Sequence, residues 1–303
     1  MNILVIGNGF DLAHGLPTKY GDFLEFVDDM ERYCFKKGKR AKSNSKIEKY
    51  LEKGFTSEIL EELGSCIHDN VWLEHFRKIE IREGWIDFER EIRKSIERID
   101  NAVYKGNNTV RKKGKVNGLF NIIDNNFDKG LKRIKINPRS FYRIAIPYGN
   151  QQKSLFDIEY DNKIQEDLDK LIRALEIYLL EYVEKLDCDK VSPDIANTSF
   201  DAILSFNYTH TYMKLYDPSG ECEYNYIHGK TNSAGSMQTN NMVLGIDEYL
   251  SDERKDRDLD YIAFRKYYQR IYKGTGSEYK KWLNQIQNEY VEYLENRNKY
   301  LEK

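Results

Sequence analysis

Short apolar runs that end in glycine or in a polar side chain recur along the chain and predict the strands of a parallel sheet. Ile3–Ile6 contains no polar residue, which is typical of a strand covered on both faces. Later runs at Ala202–Phe206, Glu223–Ile227 and Met242–Gly245 are short and rich in strand-forming residues. Most of the chain therefore lies between the first predicted strand and the other three.

Between these runs the apolar residues fall at helical spacing. The pattern predicts a helix over Thr18–Phe35 with Thr18 as its N-cap, and it is helical almost throughout from about Lys46 to Leu186. The clearest helix, from about Ser154 to Leu186, carries one apolar stripe, which predicts a face buried in the core. The stripe consists of Ile164, Leu168, Leu171, Leu175, Tyr178, Leu179, Tyr182 and Leu186. The tail from Leu259 to Lys303 is charged, tyrosine-rich and also helical in pattern.

These patterns predict an α/β fold, with a Rossmann-like parallel sheet and a large helical insertion between the first and second strand motifs. Residues 1–45 and 190–303 form the predicted nucleotide-binding domain. Residues 46–189 form the predicted helical insertion.

Composition narrows the class of protein without identifying its activity. The 303 residues are 40% hydrophobic and 32% charged, as in a globular chain with a sizeable core. A net charge of −2 argues against nucleic-acid binding. The four cysteines lack the paired spacing of a zinc knuckle or a disulfide framework, so no metal is expected. No apolar run reaches the roughly 18 residues of a membrane span, and no signal peptide is recognisable, so we expect a cytoplasmic protein.

The first strand leads into Gly7-Asn8-Gly9-Phe10-Asp11, a turn that brings backbone N–H groups close to a ligand. A strand followed by Gly-x-Gly and a helix is typical of pyrophosphate binding. The usual dinucleotide motif has a third glycine where this chain has Leu12. Gly9 and Gly15 therefore also fit a second interpretation, in which they only permit a positive φ in a turn.

Three later strand ends also carry polar or glycine motifs. Asn207 follows the second strand, His228-Gly229 follows the third, and Gly245-Ile246-Asp247 follows the fourth. Because open α/β sheets bind ligands beyond the carboxyl ends of their strands, four such endings indicate a common crevice. Asn207 alone fits an Asx-turn or a helix cap equally well, and a lone histidine is more often a structural residue.

These motifs resemble the AbiH family of bacteriophage abortive-infection proteins. The resemblance rests on Gly7–Pro17, Ser205–Thr209, Tyr226–Gly229 and Val243–Asp247, and it extends to Gly84–Glu89 in the helical region. It implies a role in defence against bacteriophage, with a phage or host protein as a trigger, and it leaves a homo-oligomer open. Trp85, Asp87 and Glu89 then either line a ligand pocket or only begin a helix.

A more distant resemblance is to the sirtuin family of NAD-binding proteins. Gly7, Gly9, Gly15 and Pro17 fall on the sirtuin pattern Gly-Ala-Gly-x-Ser, three residues, Gly-Ile-Pro. Asn207 matches the asparagine of the sirtuin Thr-Gln-Asn-x-Asp motif, and His228-Gly229 matches its His-Gly motif. Asp11 replaces the serine of the first motif, Thr209 replaces the aspartate of the second, and the zinc ribbon is missing. The later Gly-His/Thr-Ser-Leu strand of both families is not found before Lys303, which leaves open a truncated chain or a lost strand.

The sirtuin resemblance implies a sirtuin-like fold that binds NAD and hydrolyses its nicotinamide–ribose bond. It assigns Gly7, Asn8 and Gly9 to the pyrophosphate, with Phe10, Gly15 and Gly245 as further binding residues. Asn207 would orient ribose or water, and His228 would be the general base. Asp11 and Asp247 would bind a ribose hydroxyl or stabilise the oxocarbenium ion. The alternative is a non-catalytic sensor of NAD or ADP-ribose that docks another protein.

Overall fold

The computed structural model describes residues 1–35, 45–78, 88–97, 159–247 and 261–301. Three parallel strands form one sheet in the order β1 (Ile3–Ile6), β2 (Ala202–Ser205) and β3 (Glu223–Tyr226). Ile6 is level with Ser205, and Ser205 is level with Tyr226. The three strands therefore end side by side, which places their following loops at one edge of the sheet.

Helices make up most of the remaining described structure. Before the second strand they are α1 (Asn8–Ala13), α2 (Tyr20–Phe35), α3 (Ser45–Glu52), α4 (Ser57–Ile67), α5 (Val71–Lys78), α6 (88–97), α7 (Glu159–Glu181) and α8 (Pro193–Ala196). After it they are α9 (Thr211–Tyr216), α10 (Lys266–Tyr272) and α11 (Tyr279–Leu301). The predictions of an α/β protein, a parallel sheet and a helical tail are confirmed.

The largest hydrophobic core lies among the helices. Six members of the predicted stripe on α7, from Ile164 to Leu179, are buried in it, while Tyr182 and Leu186 pack on its margin. Aromatic rings from α2, α5 and α6 meet there, with Phe88 stacked between Tyr20 and Phe76. This core contains residues from both predicted domains, and the division at residues 45 and 190 stays a prediction. Within the described ranges, no helix combines the length and apolarity needed to cross a bilayer.

Three local predictions differ from the structure. The first strand is not covered on both faces, because the Val5 side chain is 59% exposed. The run Met242–Gly245 forms no strand, and the residue after it, Ile246, forms an isolated bridge with Arg265. Thr18 is not the N-cap of α2, which begins two residues later, because its hydroxyl donates to Asn8 Oδ1 at 2.7 Å. For Thr18 and Ile246 the partner lies ten or more residues away along the chain, so local sequence does not predict it.

Candidate functional site

A cavity of about 190 Å³ lies beyond the carboxyl ends of β1 and β2. The strand ends bring together segments that are far apart in sequence, including the loop after β3 and the first turn of α10. Eleven residues line it: Asn8, Asp11, Thr18, Glu89, Leu179, Phe206, Asn207, Tyr208, Thr209, His228 and Lys266. This is the edge of a parallel sheet at which α/β proteins usually bind ligands.

Asn207 presents a buried carboxamide to this cavity. The residue is only 5% exposed, and its Nδ2 and Oδ1 atoms have no hydrogen-bond partner among the described residues. Its backbone is held by Ser205, whose Oγ accepts from Asn207 N at 3.1 Å and donates to Asn207 O at 3.2 Å. Since nearly all buried polar groups in proteins are paired, a fixed backbone with an unpaired side chain indicates a ligand-binding group.

His228 also lines this cavity. Its ring lies 5.7 Å from that of Phe206 and 6.5 Å from that of Tyr208, between centroids. In this part of the structure, the buried Nδ1 atom has no partner. Burial, followed by the positive charge of Lys266, lowers the pKa of His228 from 6.5 to about 4. The imidazole is therefore neutral near pH 7, as a general base requires.

The residue after His228 fixes the position of this loop. Gly229 has a φ of +78°, and a Cβ atom there would lie 2.1 Å from the carbonyl oxygen of Asn241. The neighbouring backbone is bonded on both sides, because Gly229 N donates to Tyr226 O and Val243 N donates to His228 O. Only glycine meets both constraints, and this explains the His-Gly pair at the end of the third strand.

Asp11 and Thr209 connect α1, which follows β1, to the loop after β2. The Thr209 hydroxyl donates to Asp11 Oδ2 at 2.7 Å, and Thr211 donates to Thr209 Oγ1 at 3.1 Å. Asp11 Oδ1 is also buried, without a partner among the residues described. Burial raises the pKa of Asp11, and the hydroxyl bond from Thr209 lowers it in part. The Asp11 carboxylate thus joins the two segments through Oδ2, and its Oδ1 stays available for a ligand.

Lys266 and Glu89 form an ion pair in the cavity wall. The Lys266 ammonium lies 2.6 Å from Glu89 Oε1 and 3.3 Å from Asp247 Oδ2, although Lys266 is only 3% exposed. Burial raises the pKa of Glu89, an effect that the charge of Lys266 opposes. Sequence reasoning missed Lys266, which stands in a charged helical tail beside many similar residues. Glu89 lines the cavity, whereas Trp85 and Asp87 of the same motif lie outside the described residues.

The other predicted binding residues surround this cavity at varying distances. The predicted glycine turn is the start of α1, with Gly7 as its N-cap and Gly9 in its first turn, and a Cβ atom at either glycine would meet no described atom within 4 Å. Phe10 instead packs on His14, with ring centroids 4.3 Å apart. Gly15 has a φ of +79° at the end of α1, and a Cβ there would lie 3.3 Å from Lys190 Nζ.

Two predicted residues at the fourth strand end occupy different environments. Gly245 approaches the backbone of the segment just before α10, because a Cβ atom there would lie 2.3 Å from the Phe264 carbonyl oxygen. Asp247 is not among the residues that line the cavity. It forms an ion pair with Lys266, which does line it, and its own side chain is largely exposed. Asn8, Asp11, Asn207 and His228 are therefore the predicted residues that the structure brings together around the cavity.

His14, which follows α1 directly, has a structural environment. Its Nδ1 lies 2.7 Å from Phe10 O, and its Nε2 lies 2.7 Å from the Tyr216 hydroxyl. Both ring nitrogens are engaged, which leaves neither for a ligand. In the described part of the chain, no group of three or more His, Cys, Asp or Glu side chains is placed to hold a metal ion.

Comparison with known proteins identifies a family across nearly the whole chain. A family model described as bacteriophage abortive infection AbiH matches residues 3–300. No curated protein and no solved structure matches the chain. The matched range contains every residue that lines the cavity.

Proposed function

Because the chain belongs to the AbiH family of bacteriophage abortive-infection proteins, we propose that it acts in phage defence by hydrolysing NAD at the cavity between β1, β2 and the His228 loop. The bond broken is the one between nicotinamide and ribose. Membership of the family supports the role in defence, and the polar groups of the cavity support the chemistry.

The observation that carries the proposal is the unpaired carboxamide of Asn207. A buried polar group without a partner costs about 1–3 kcal/mol. Asn207 has two such atoms, and His228 Nδ1 and Asp11 Oδ1 add two more around the same cavity. A ligand with several hydroxyl or amide groups would pair these atoms, and the nicotinamide riboside end of NAD has both kinds.

The size of the cavity favours one end of a dinucleotide. Pockets for whole drug-sized ligands usually measure about 300–1,000 Å³, whereas this one measures about 190 Å³. We assign it to the nicotinamide ring and its ribose. The pyrophosphate would then follow the open side of the glycine turn at Gly7 and Gly9, towards the N–H groups at the start of α1.

The charges in the wall suit a cationic substrate. Two of the lining residues, Asp11 and Glu89, are acidic. Lys266 is the one cationic side chain among the lining residues, because His228 is neutral. NAD carries its positive charge on the nicotinamide ring. As the bond to ribose breaks, that charge moves to an oxocarbenium-like ribose. Carboxylates fixed beside it stabilise the transition state more than bulk water does.

Hydrolysis needs one base and no acid. When the C1′–N bond breaks, its electron pair passes to the nicotinamide nitrogen, so the leaving group departs as a neutral molecule. A water molecule forms the new bond to C1′, and His228 Nδ1 takes its proton. Asn207 orients the water or the ribose through its free amide and carbonyl groups.

The contact between Asp11 and Thr209 supports the resemblance to sirtuins. At two of the positions where the chain departs from the sirtuin motifs, the side chains hydrogen-bond to each other. Where the sirtuin motifs have serine and aspartate, this chain has aspartate and threonine. A hydroxyl and a carboxylate have thus exchanged places between the two motifs.

Incubation of the purified chain with NAD tests the proposal. We expect release of free nicotinamide and ADP-ribose, and loss of that release in His228→Ala with NAD binding retained. Binding of ADP-ribose without hydrolysis, unchanged by His228→Ala, would select the sensor function instead. A chain that binds neither NAD nor ADP-ribose would overturn both functions.

The acid limb of the pH profile is a second prediction. Because the general base must be unprotonated, we expect kcat/KM to fall with a midpoint near pH 4, the pKa of His228, and not near its ordinary value of 6.5. Replacing Lys266 by glutamine removes a positive charge that lowers this pKa, so the midpoint should move upward. Circular dichroism at each pH separates titration from unfolding. A limb near 6.5 that Lys266→Gln does not move would contradict the assignment.

A further inference from the structure

The last helix, α11, leaves the body of the protein with an apolar face that the described residues leave exposed. Its first turn is attached to the sheet, because Trp282 Nε1 donates to Glu223 Oε2 at 2.5 Å. Beyond that point Leu283, Ile286, Tyr290 and Tyr293 are between 37% and 60% exposed. Large apolar residues on one helix face in this number usually mark a contact surface.

The spacing of these residues indicates what covers them. Leu283, Ile286, Tyr290 and Tyr293 follow one another at intervals of three, four and three residues. This is the alternation of a and d positions in a heptad repeat, which turns one seam of a helix towards another helix. Tyr279 and Arg297 continue the same alternation at its two ends, so the seam extends for about 27 Å.

We propose that this seam pairs with α11 of a second copy of the chain in antiparallel orientation. In an antiparallel pair, each a position packs against a d position of the other helix. Leu283 then meets Tyr293 of the second copy, and Ile286 meets its Tyr290. Every apolar layer thus combines one aliphatic and one aromatic side chain, which fills space evenly along the seam.

Charge also favours the antiparallel orientation. In a parallel pair Arg297 would face Arg297 of the second copy, and like charges at close range repel. In the antiparallel pair Arg297 instead faces Tyr279 of the second copy, where a guanidinium can lie over the aromatic ring. Antiparallel helices also place their opposite dipole ends side by side.

The mass of the full-length chain in solution tests this proposal by light scattering after size exclusion. We expect twice the chain mass of 36.0 kDa, and a fall to the single-chain mass for Ile286→Lys or Tyr290→Glu. Val291→Lys is the matched control, because Val291 is 53% exposed on the same helix but lies off the seam. It should remain a dimer.

Mixing the two monomeric variants tests the orientation. In the antiparallel pair the lysine of Ile286→Lys meets the glutamate of Tyr290→Glu, while the second such layer keeps its natural Ile286 and Tyr290. The mixture should therefore return to the dimer mass, whereas a parallel pair would leave each charge facing an apolar residue. A monomeric wild-type chain, a dimer that survives both variants, or a mixture that stays monomeric would each overturn the proposal. None of these outcomes depends on NAD hydrolysis.

Discussion

Replacing Asn207 by alanine is expected to lower kcat for NAD hydrolysis by about 10²–10³-fold and to leave the free energy of unfolding unchanged or slightly raised. The carboxamide has no partner within the described structure, so its removal breaks no hydrogen bond of the folded protein. The substitution also relieves the burial of two unpaired polar atoms. Loss of activity without loss of stability distinguishes a ligand-binding group from a structural one.

Asn240→Ala is the matched control for this experiment. Asn240 is also 5% exposed, but its Nδ2 donates to Glu176 and its Oδ1 accepts from Met242 N. Because it bonds a buried carboxylate, we expect its loss to cost about 2–3 kcal/mol of stability. Urea denaturation and nicotinamide release, measured on both variants, give the comparison. An Asn207→Ala protein that unfolds as readily as Asn240→Ala would contradict the role assigned to Asn207.

Replacing Gly229 by alanine is expected to destabilise the protein by about 3 kcal/mol or more and to abolish NAD hydrolysis with it. The new Cβ atom would lie 2.1 Å from the Asn241 carbonyl oxygen, in a backbone with a φ of +78°. Relief of that contact requires the 228–229 backbone to move. The imidazole of His228, which precedes it directly, would move away from the cavity.

Gly220→Ala separates the effect of the contact from that of the backbone conformation. Gly220 has a φ of +69°, but a Cβ atom there meets no described atom within 4 Å. We expect it to cost only about 1–2 kcal/mol, from the left-handed conformation alone, with activity retained. Thermal unfolding of the two variants provides the test. Equal destabilisation would show that the approach of Asn241 does not constrain the His228 loop.

Local patterns predicted most of the secondary structure in the described residues. Ile3–Ile6 is an unbroken apolar run and the stripe on α7 has helical periodicity, and both patterns depend only on neighbours along the chain. Met242–Gly245 has the same strand-like composition, yet it forms no ladder. Val243 donates to His228 O, and the Val243 carbonyl accepts from the Tyr208 hydroxyl, so these groups are used by loops rather than by a strand.

The site was predictable only where a residue type carries chemistry at a strand end. Asn207 and His228 are recognisable because each follows a strand directly, where parallel sheets bind ligands. Lys266 has no such signal, since a lysine at a helix start is usually exposed. It enters the cavity wall because α10 brings it within 2.6 Å of Glu89, a residue that is distant in sequence.

The sequence by itself determined three of the four predicted strands, most of the described helices, and the polar residues that follow each strand, because these depend on local spacing and on residue chemistry. Only the tertiary structure decided which of those polar groups are paired. Asp11 is hydrogen-bonded to Thr209, and His14 is hydrogen-bonded to Tyr216. By contrast, the side chain of Asn207 and the Nδ1 atom of His228 have no hydrogen-bond partner within the described residues. Hydrogen-bond pairing depends on distances between segments far apart along the chain, and those distances are fixed only when the core packs.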